Sequence, residues 1–443
     1  MPAHEFVRSL VNYRLIELED QMSLAVGSLA RATIRTSGIL ALRLLLVAST
    51  LILLTRLLDP ADFGVFAGIT ALSVMAGSMA TMGTHLVVMR NVAADTSSGA
   101  RTMEYAAGAT LVGAALMSII YASAVAWVVP SGALPLFAIA ALAIADVVLH
   151  PFLQLTSGRL LGTGSVARSQ VLLILPLAFR LLAVIALLGF APQAPLGLYC
   201  LFYAGASLAA LAVCWMSGGT TLPSLRSWRL PSIPEWKDAL GYACLNLTAT
   251  APGELDKALS ARLLAADAAG IYSTASRITG AIVSPITALM LSALPRLFSM
   301  QVTRDRHLVP AVFAASLFYG ITAAGALYLA TPHLAGLFGP DYASLEFTLP
   351  LLAIAVPGMT LRLSGASTLM ATGRPIARAC IEGVGLSVMA LVAILATTGL
   401  APHAWPLIYA VTASEWSMAI LAWLTIAGRC RRGQATTRQT TPD

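Results

Sequence analysis

From residue 37 to residue 427 the chain is written almost entirely in apolar runs of the length a bilayer demands. A helix rises about 1.5 Å per residue, so crossing a hydrocarbon core of about 30 Å takes about 20 apolar residues. Twelve runs meet that length: 37–55, 65–88, 105–129, 134–156, 170–190, 196–216, 239–261, 270–294, 309–331, 345–371, 377–399 and 405–427. In lipid every backbone donor and acceptor needs an internal partner, so the runs are expected as helices, with Pro and Gly tolerated where neighbours satisfy the freed groups. Composition agrees: 58% of the residues are hydrophobic and only 11% are charged, against about 25% charged in a soluble domain. Five cysteines (Cys200, Cys214, Cys244, Cys380, Cys430) lie in or beside these runs without CxxC or Cys/His ligand spacing. They read as small packing residues, and no metal site is expected. The opening MPAHEFVRSLVNYRLIELED mixes charges and lacks an apolar core, so no cleavable signal peptide is expected.

Basic residues assign the two faces. If the N-terminus is cytoplasmic, twenty of the 27 Lys and Arg fall on that side, among them Arg90, Arg101, Arg159, Arg168, Arg226, Arg229, Lys237, Arg296, Arg374 and Arg378. Two, Arg56 and Arg262, fall on the other, and five lie inside runs. The positive-inside rule then places both termini in the cytoplasm. The net charge of +7 is a topology signal: scattered over many short loops, it makes no nucleic-acid footprint.

A short phrase occurs twice. RLLDPADFGVF runs from Arg56 to Phe66 and RLLAADAAGIY from Arg262 to Tyr272, an offset of 206 residues. The offset holds further on, where Arg90 in VVMR matches Arg296 in ALPR. Six runs separate the copies, an even number, so both phrases face the same non-cytoplasmic side. The expectation is a parallel internal repeat of two six-helix lobes, 37–216 and 239–428. A cytoplasmic segment 1–36 precedes them, a Ser/Pro-rich basic linker 217–238 joins them, and a basic tail 429–443 follows. Duplicated lobes of this kind bind substrate between them and expose it alternately to the two sides. Within the phrase, Gly64 and Gly270 are expected at tight external turns, supplying φ freedom and close backbone approach. Phe66 and Tyr272 are expected as interfacial anchors.

LTRLLDPADFGVFAGITAL, followed by MGTHLVVMR, resembles the opening of Wzx-type polysaccharide flippases, part of the multidrug/oligosaccharidyl-lipid/polysaccharide exporter superfamily. ELDKALSARLLAADAAGIYSTASRI and ALPRLFS resemble that family's seventh and eighth helices, and the likeness covers roughly residues 37–300. It implies a MATE-like all-α integral membrane fold, twelve transmembrane helices in two lobes around a central cavity. It also implies movement of an undecaprenyl-diphosphate-linked oligosaccharide from the cytoplasmic to the periplasmic leaflet of a bacterial inner membrane. The implied partners are that substrate, membrane lipids, and polysaccharide polymerase and export machinery. The chain departs from the pattern in its long N-terminal segment, and it has no room for the two further helices of the lipid II flippases.

Charges inside the runs mark candidate sites, because one at a helix centre costs about 2.5–3.5 kcal/mol on insertion scales. They are Arg43, Asp146, His150, Arg180, Glu254, Asp256, Lys257, Arg277, Arg362, Glu382 and Glu415. Helical spacing groups Asn246, Thr250, Glu254 and Lys257 on one face of the seventh run. Asp146, His150, Gln154 and Ser157 form a second stripe, and Ser273, Arg277, Ser284 and Thr287 a third. Such stripes either line a wet cavity or bind neighbouring helices, and Arg277 could equally be the ion-pair partner of Asp256. Arg43, Arg180, Lys257, Arg277 and Arg362 are the candidate contacts for an anionic diphosphate, since Arg grips phosphate oxygens in bidentate fashion. Asp146, His150, Glu254 and Asp256 are candidates to carry a coupling proton or sodium ion. No other cofactor is expected.

Two rival classes share parts of this pattern. A membrane glycosyltransferase or polymerase would need acidic groups on a substantial loop, yet the sequence has no DxD and its largest external loop, near 332–344, offers only His333 and Asp341. A drug antiporter of the same architecture would need an acidic or aromatic cavity for cationic cargo. The repeat and the charge asymmetry together predict sidedness. In a cysteine-free background, Asp62→Cys and Asp267→Cys should both react with a membrane-impermeant maleimide in intact cells, whereas Ser98→Cys and Ser227→Cys should react only after permeabilisation. Opposite sidedness for positions 62 and 267 would end the parallel-repeat argument.

Overall fold

The computed structural model describes residues 38–129, 133–191, 196–216, 222–298, 308–397 and 399–439, the side chains at 288, 291–298 and 429–439 excepted. The segment 1–36 and Arg304 and Arg306 lie outside the described residues, as do positions 217–221 of the linker. The described residues are helical, in the order α1 (Gly38–Leu57), α2 (Pro60–Ala80), α3 (Thr84–Ala94), α4 (Gly99–Val128), α5 (Leu136–Leu142), a π-helical stretch (Ala143–Leu149), α6 (His150–Gly162), α7 (Val166–Phe190) and α8 (Leu196–Met216). The second half follows as α9 (Ile233–Thr250), α10 (Leu255–Leu263), α11 (Ala266–Phe298), α12 (Leu308–Leu337), α13 (Leu345–Ala353), α14 (Val356–Ala371), α15 (Pro375–Ala396) and α16 (Trp405–Gln439). Among the described residues, nine helices are long and apolar enough to cross a membrane, and α13 with α14, bent by 45°, makes a tenth.

Four of the expected spans are broken or distorted, the tenth of them at the bend between α13 and α14. The seventh run was expected as one helix over 239–261; instead α9 ends at Thr250, a 3-10 turn takes Ala251–Gly253, and α10 starts at Leu255. Pro252 and Gly253 explain the break, because proline removes a ladder donor and glycine adds backbone freedom. The second span breaks at Thr81–Gly83, where Met82 and Gly83 both have positive φ. In the fourth, Asp146 sits within the π-helical stretch, a distortion that often marks functional sites. Elsewhere hydroxyl side chains return hydrogen bonds to carbonyls one turn back, as Thr110 does to Ala106 and Thr274 to Gly270. They satisfy themselves without water.

The two halves meet through α2, which packs against α9, α10 and α11. The repeated phrase forms the centre of that contact. A Cβ on Gly64 would stand 2.7 Å from the carbonyl oxygen of Ala266, and a Cβ on Gly270 would collide with the carbonyl oxygen of Pro60. Pro60 and Ala266 are themselves equivalent at the 206-residue offset, so the contact is reciprocal and pseudo-twofold. Both glycines lie within helices and neither has positive φ. The φ freedom expected of them is not used; close approach of backbones is the reason for glycine here. Gly68 continues the seam, since a Cβ there would overlap that of Ala261 on α10. The aromatic residues of the phrase are not interfacial anchors either. Phe66 is 2% exposed and Tyr272 0%. At the same end Tyr342 packs edge-on to Phe63 and donates to the Leu58 carbonyl at 3.2 Å.

The described part of the linker is docked. Trp228 stacks on Phe152 at 5.5 Å, the Arg229 amide donates to the Glu104 carbonyl at 3.3 Å, and Gly108 leaves room for the Arg229 backbone. Arg229 lies over the Tyr105 ring and grips Glu235 through two bonds of 2.9 and 2.7 Å. That guanidinium, with Ser232 completing a capping box, holds the Glu235 carboxyl down at about 2. At the adjoining face Arg90 of α3 pairs with Asp238 of α9.

The seam predicts a sharp difference between glycines. Gly270→Ala should lower the thermal stability of the purified protein by the equivalent of about 1–3 kcal/mol, the usual cost of overpacking a close contact. Gly205→Ala, on α8 with nothing within 4 Å of its Cβ position, should be neutral or slightly stabilising. Equal melting temperatures for the two variants would remove the steric argument.

Candidate functional site

Each half buries an aspartate in a cage of hydroxyls and a cation. In the first half Gly77 lets α2 approach the π-helical backbone at Asp146. Asp146 then accepts from Ser73 at 2.7 Å, from Arg180 of α7 at 2.9 Å, and from the Tyr203 hydroxyl of α8 at 3.0 and 3.1 Å. Arg180 also lies 3.6 Å over the Tyr203 ring and donates to Ser207 at 3.0 Å. In the second half Asp256 accepts from the Tyr272 hydroxyl at 3.0 Å and from Ser276 at 2.6 Å. Lys257 stands 3.3 Å from it.

The repeat explains part of this likeness. Tyr272 occupies the position of Phe66, and Ser276 that of Thr70. Phe66 has no hydroxyl and packs edge-on against Tyr199 and Tyr203 at 5.2 and 6.0 Å. The donor that the second half draws from its own phrase therefore comes, in the first half, from α8. The aspartates are not at equivalent positions, so the resemblance of the two cages is chemical and not positional.

The candidate cations divide into paired and unpaired. Arg180 is committed to Asp146. Lys257 sits between Asp256 and Glu254, which is 3.7 Å away, and also donates to the Gly253 carbonyl exposed by the helix break. Arg362 of α14 is buried against Glu415 of α16 at 2.5 Å, and Glu382, another buried acid, takes Arg378 at 3.0 Å. Arg43 lies on an exposed face of α1. Arg277 differs from the rest. It does not pair with Asp256; instead it crosses the seam to the Thr70 hydroxyl at 3.3 Å, with its guanidinium 5.7 Å from the Phe63 ring centre. Its Nε is buried without a hydrogen-bond partner, and among the described residues no carboxylate lies within ion-pair distance of it.

The polar stripes are only partly available to a ligand. Asn246 donates to the Ser78 carbonyl at 2.7 Å and Ser157 shares a hydrogen bond with Ser169, so both serve helix–helix bonding. Glu254 is more open than Lys257 on the same stripe, its side chain 26% exposed against 7%. His150 is half-buried and is not among the groups that hold Asp146. On α11 the face that begins at Arg277 continues open through Gly280, Ser284 and Thr287. Tyr203 and Ser73, which complete the Asp146 cage, were missed from sequence. Neither belongs to a charged stripe, and only tertiary packing brings them to Asp146. Among the described residues no cluster of His, Cys, Asp or Glu could hold a metal ion.

A buried pair broken on one side strands a charge at a cost of about 3–5 kcal/mol. Arg362→Ala should therefore sharply reduce the amount of folded protein in the membrane, and Glu415→Gln added to Arg362→Met should restore much of it. Failure of the double variant to outdo Arg362→Ala would mean that the pair is not what holds α14 to α16.

No protein-family model matches the sequence, and no curated protein matches it at a significant level. Solved structures do match. An inward-facing multidrug resistance MATE transporter of the MOP superfamily overlays with a TM-score of 0.68 at 15% identity, over 90% of this chain and 96% of that one. An outward-facing conformation of such a transporter gives 0.59 at 15% identity, over 91% and 95%. A MOP superfamily transporter from Pyrococcus furiosus, for which reverse polarity of the binding pocket suggests a different function, gives 0.60 at 15% identity, again over 91% and 95%. The chain thus has the fold of the MATE transporters of the MOP superfamily, with their twelve helices in two lobes.

Proposed function

We propose that this protein is an alternating-access flippase that carries an undecaprenyl-diphosphate-linked oligosaccharide from the cytoplasmic to the periplasmic leaflet, serving cell-surface or exopolysaccharide assembly. The single observation behind the anionic cargo is Arg277. The buried acids Asp146, Asp256, Glu382 and Glu415 each have a cation beside them, so their charge is offset within the protein. Arg277, among the described residues, has no carboxylate within ion-pair distance, and it stands at the seam where the lobes would separate, about 10 Å along α11 from the Gly270 contact. A diphosphate offers oxygens to its planar fork. Rocking about the glycine seam would open that face to one side and then the other. On the positive-inside rule the basic loops would set the linker face in the cytoplasm. Glu254 and Lys257, beside the helix break, are the proposed coupling pair, because discontinuous helices commonly hold transported ions.

A drug antiporter of the same fold is the second reading, and Glu254 is the observation that favours it. A partly exposed acid beside a buried lysine can receive a cationic cargo as well as a proton. One set of variants separates the two. Arg277→Ala should abolish glycan export at normal protein level, with Arg277→Lys retaining part of it, because charge survives without the bidentate geometry. Glu254→Gln should stop gradient-driven transport in vesicles while leaving lipid binding intact, and Asp256→Asn should chiefly lower protein yield. Undiminished glycan export by Arg277→Ala, together with gradient-driven efflux of a cationic dye lost in Glu254→Gln, would replace the flippase reading with the antiporter.

A further inference from the structure

Helix α12 packs chiefly on α13 and α14 and leaves an open cleft of about 440 Å³ beside α11. Its walls are Ile282 of α11 and, on α12, Tyr319, Thr322, Ala326, Ala330 and Leu334, with Ala323 and Leu327 at its floor. Alanines at three successive turn positions hollow it out, and the Tyr319 hydroxyl closes one end by donating to the Ile282 carbonyl at 2.6 Å. From Tyr319 to Leu334 it runs about 22 Å along the helix, from mid-helix toward the end that carries the repeated phrase. A groove this apolar on a membrane-crossing surface is filled by hydrocarbon. Its length is that of one leaflet's chain, since half of a hydrocarbon core is about 15 Å and a tilted chain runs longer.

The position of the groove ties it to Arg277. At about 100° per residue, Ala281 and Pro285 stand about 40° and 80° round α11 from Arg277, and Ile282 about 140°. Pro285 is open and Ala281 half-buried. A partly open strip of helix surface therefore leads from the guanidinium of Arg277 to the mouth of the groove. It would let one molecule place an anionic head at the seam and a chain outside α11. We infer that the α11–α12 groove holds the polyprenyl tail of the same lipid whose diphosphate meets Arg277, in the leaflet on the repeated-phrase side. The inference rests on the flippase reading for the identity of the head group. The head then crosses between the lobes while the tail never leaves the apolar phase, tracking round α11 into the receiving leaflet.

The test uses the full-length protein in nanodiscs and an undecaprenyl diphosphate bearing a diazirine near the end of its tail. Photolysis should label α12 within 319–334 and Ile282. Thr322→Phe and Ala326→Phe, both at open positions, should each weaken binding of the probe about tenfold, the change expected when about two methylene groups lose their burial. Neither should alter binding of geranyl diphosphate, whose tail is too short to reach the groove. Arg277→Gln should weaken both ligands. Label spread over the outer face of α12, at Phe318, Ile321 and Leu329, would overturn the inference, as would equal competition by phosphatidylethanolamine. Labelling in the groove by an uncharged polyprenol probe, with Arg277→Gln without effect on either diphosphate, would keep the groove as a prenyl site and overturn the head-group reading instead.

Discussion

Everything in this structure depends on two backbones being allowed to touch. At the end marked by the repeated phrase, α2 and α11 cross where Gly64 faces Ala266 and Gly270 faces Pro60. Helices in lipid gain nothing from burying apolar side chains against one another, since lipid tails are as apolar as leucine. Their association relies on close packing and on hydrogen bonds between polar groups. Small residues give the closest packing, and a glycine pair related by the internal repeat makes the same contact twice. Gly68 and Ala261 extend it along α10, and Tyr342 caps it from the second half. A seam concentrated at one end gives two lobes a line to turn about.

With the seam in place, the charges arrange themselves round it. Buried ions are expensive unless paired, and Asp146, Asp256, Glu382 and Glu415 all have a cation within reach. Both aspartates also accept a tyrosine and a serine hydroxyl, so their remaining lone pairs are not left empty. These cages fasten α2 to the π-helical stretch, α7 and α8, and α10 to α11. What they leave over is Arg277, with no acid within ion-pair distance among the described residues, and Glu254, more open than the lysine it faces. The proposed function is drawn from that remainder and not from the number of ionisable groups.

Two of the helix breaks lie beside the contact between the halves, at Gly83 against α9 and at Ala251–Gly253 between α9 and α10. The Ala251–Gly253 turn separates α10, which packs on α2 and α11, from α9, which packs on α2, α3 and α15. The linker preceding α9 is itself tied to α4 and α6 through Arg229 and Trp228. Both parts of the first helix of the second half thus touch both halves, with a proline and a glycine between them.

Much of the fold was legible in the sequence. Run lengths predict membrane helices because the bilayer's thickness and its refusal of bare backbone leave no other choice. The 206-residue repeat predicts two like lobes, and solved structures with that architecture overlay nine-tenths of the chain. The list of buried charges was also legible, since ionisable residues stand out in apolar runs. Their partners were not. Spacing shows which residues share a face of one helix, but Asp146 is held from α2, α7 and α8, and Arg277 reaches Thr70 and not Asp256. The phrase itself was read as a turn with anchoring aromatics, whereas packing makes it a helix crossing with a buried tyrosine that holds an aspartate. Local sequence sets period and chemistry within a helix. Which faces meet, and so which charges are neutralised and which stay free for a ligand, follows only from how the helices pack against one another.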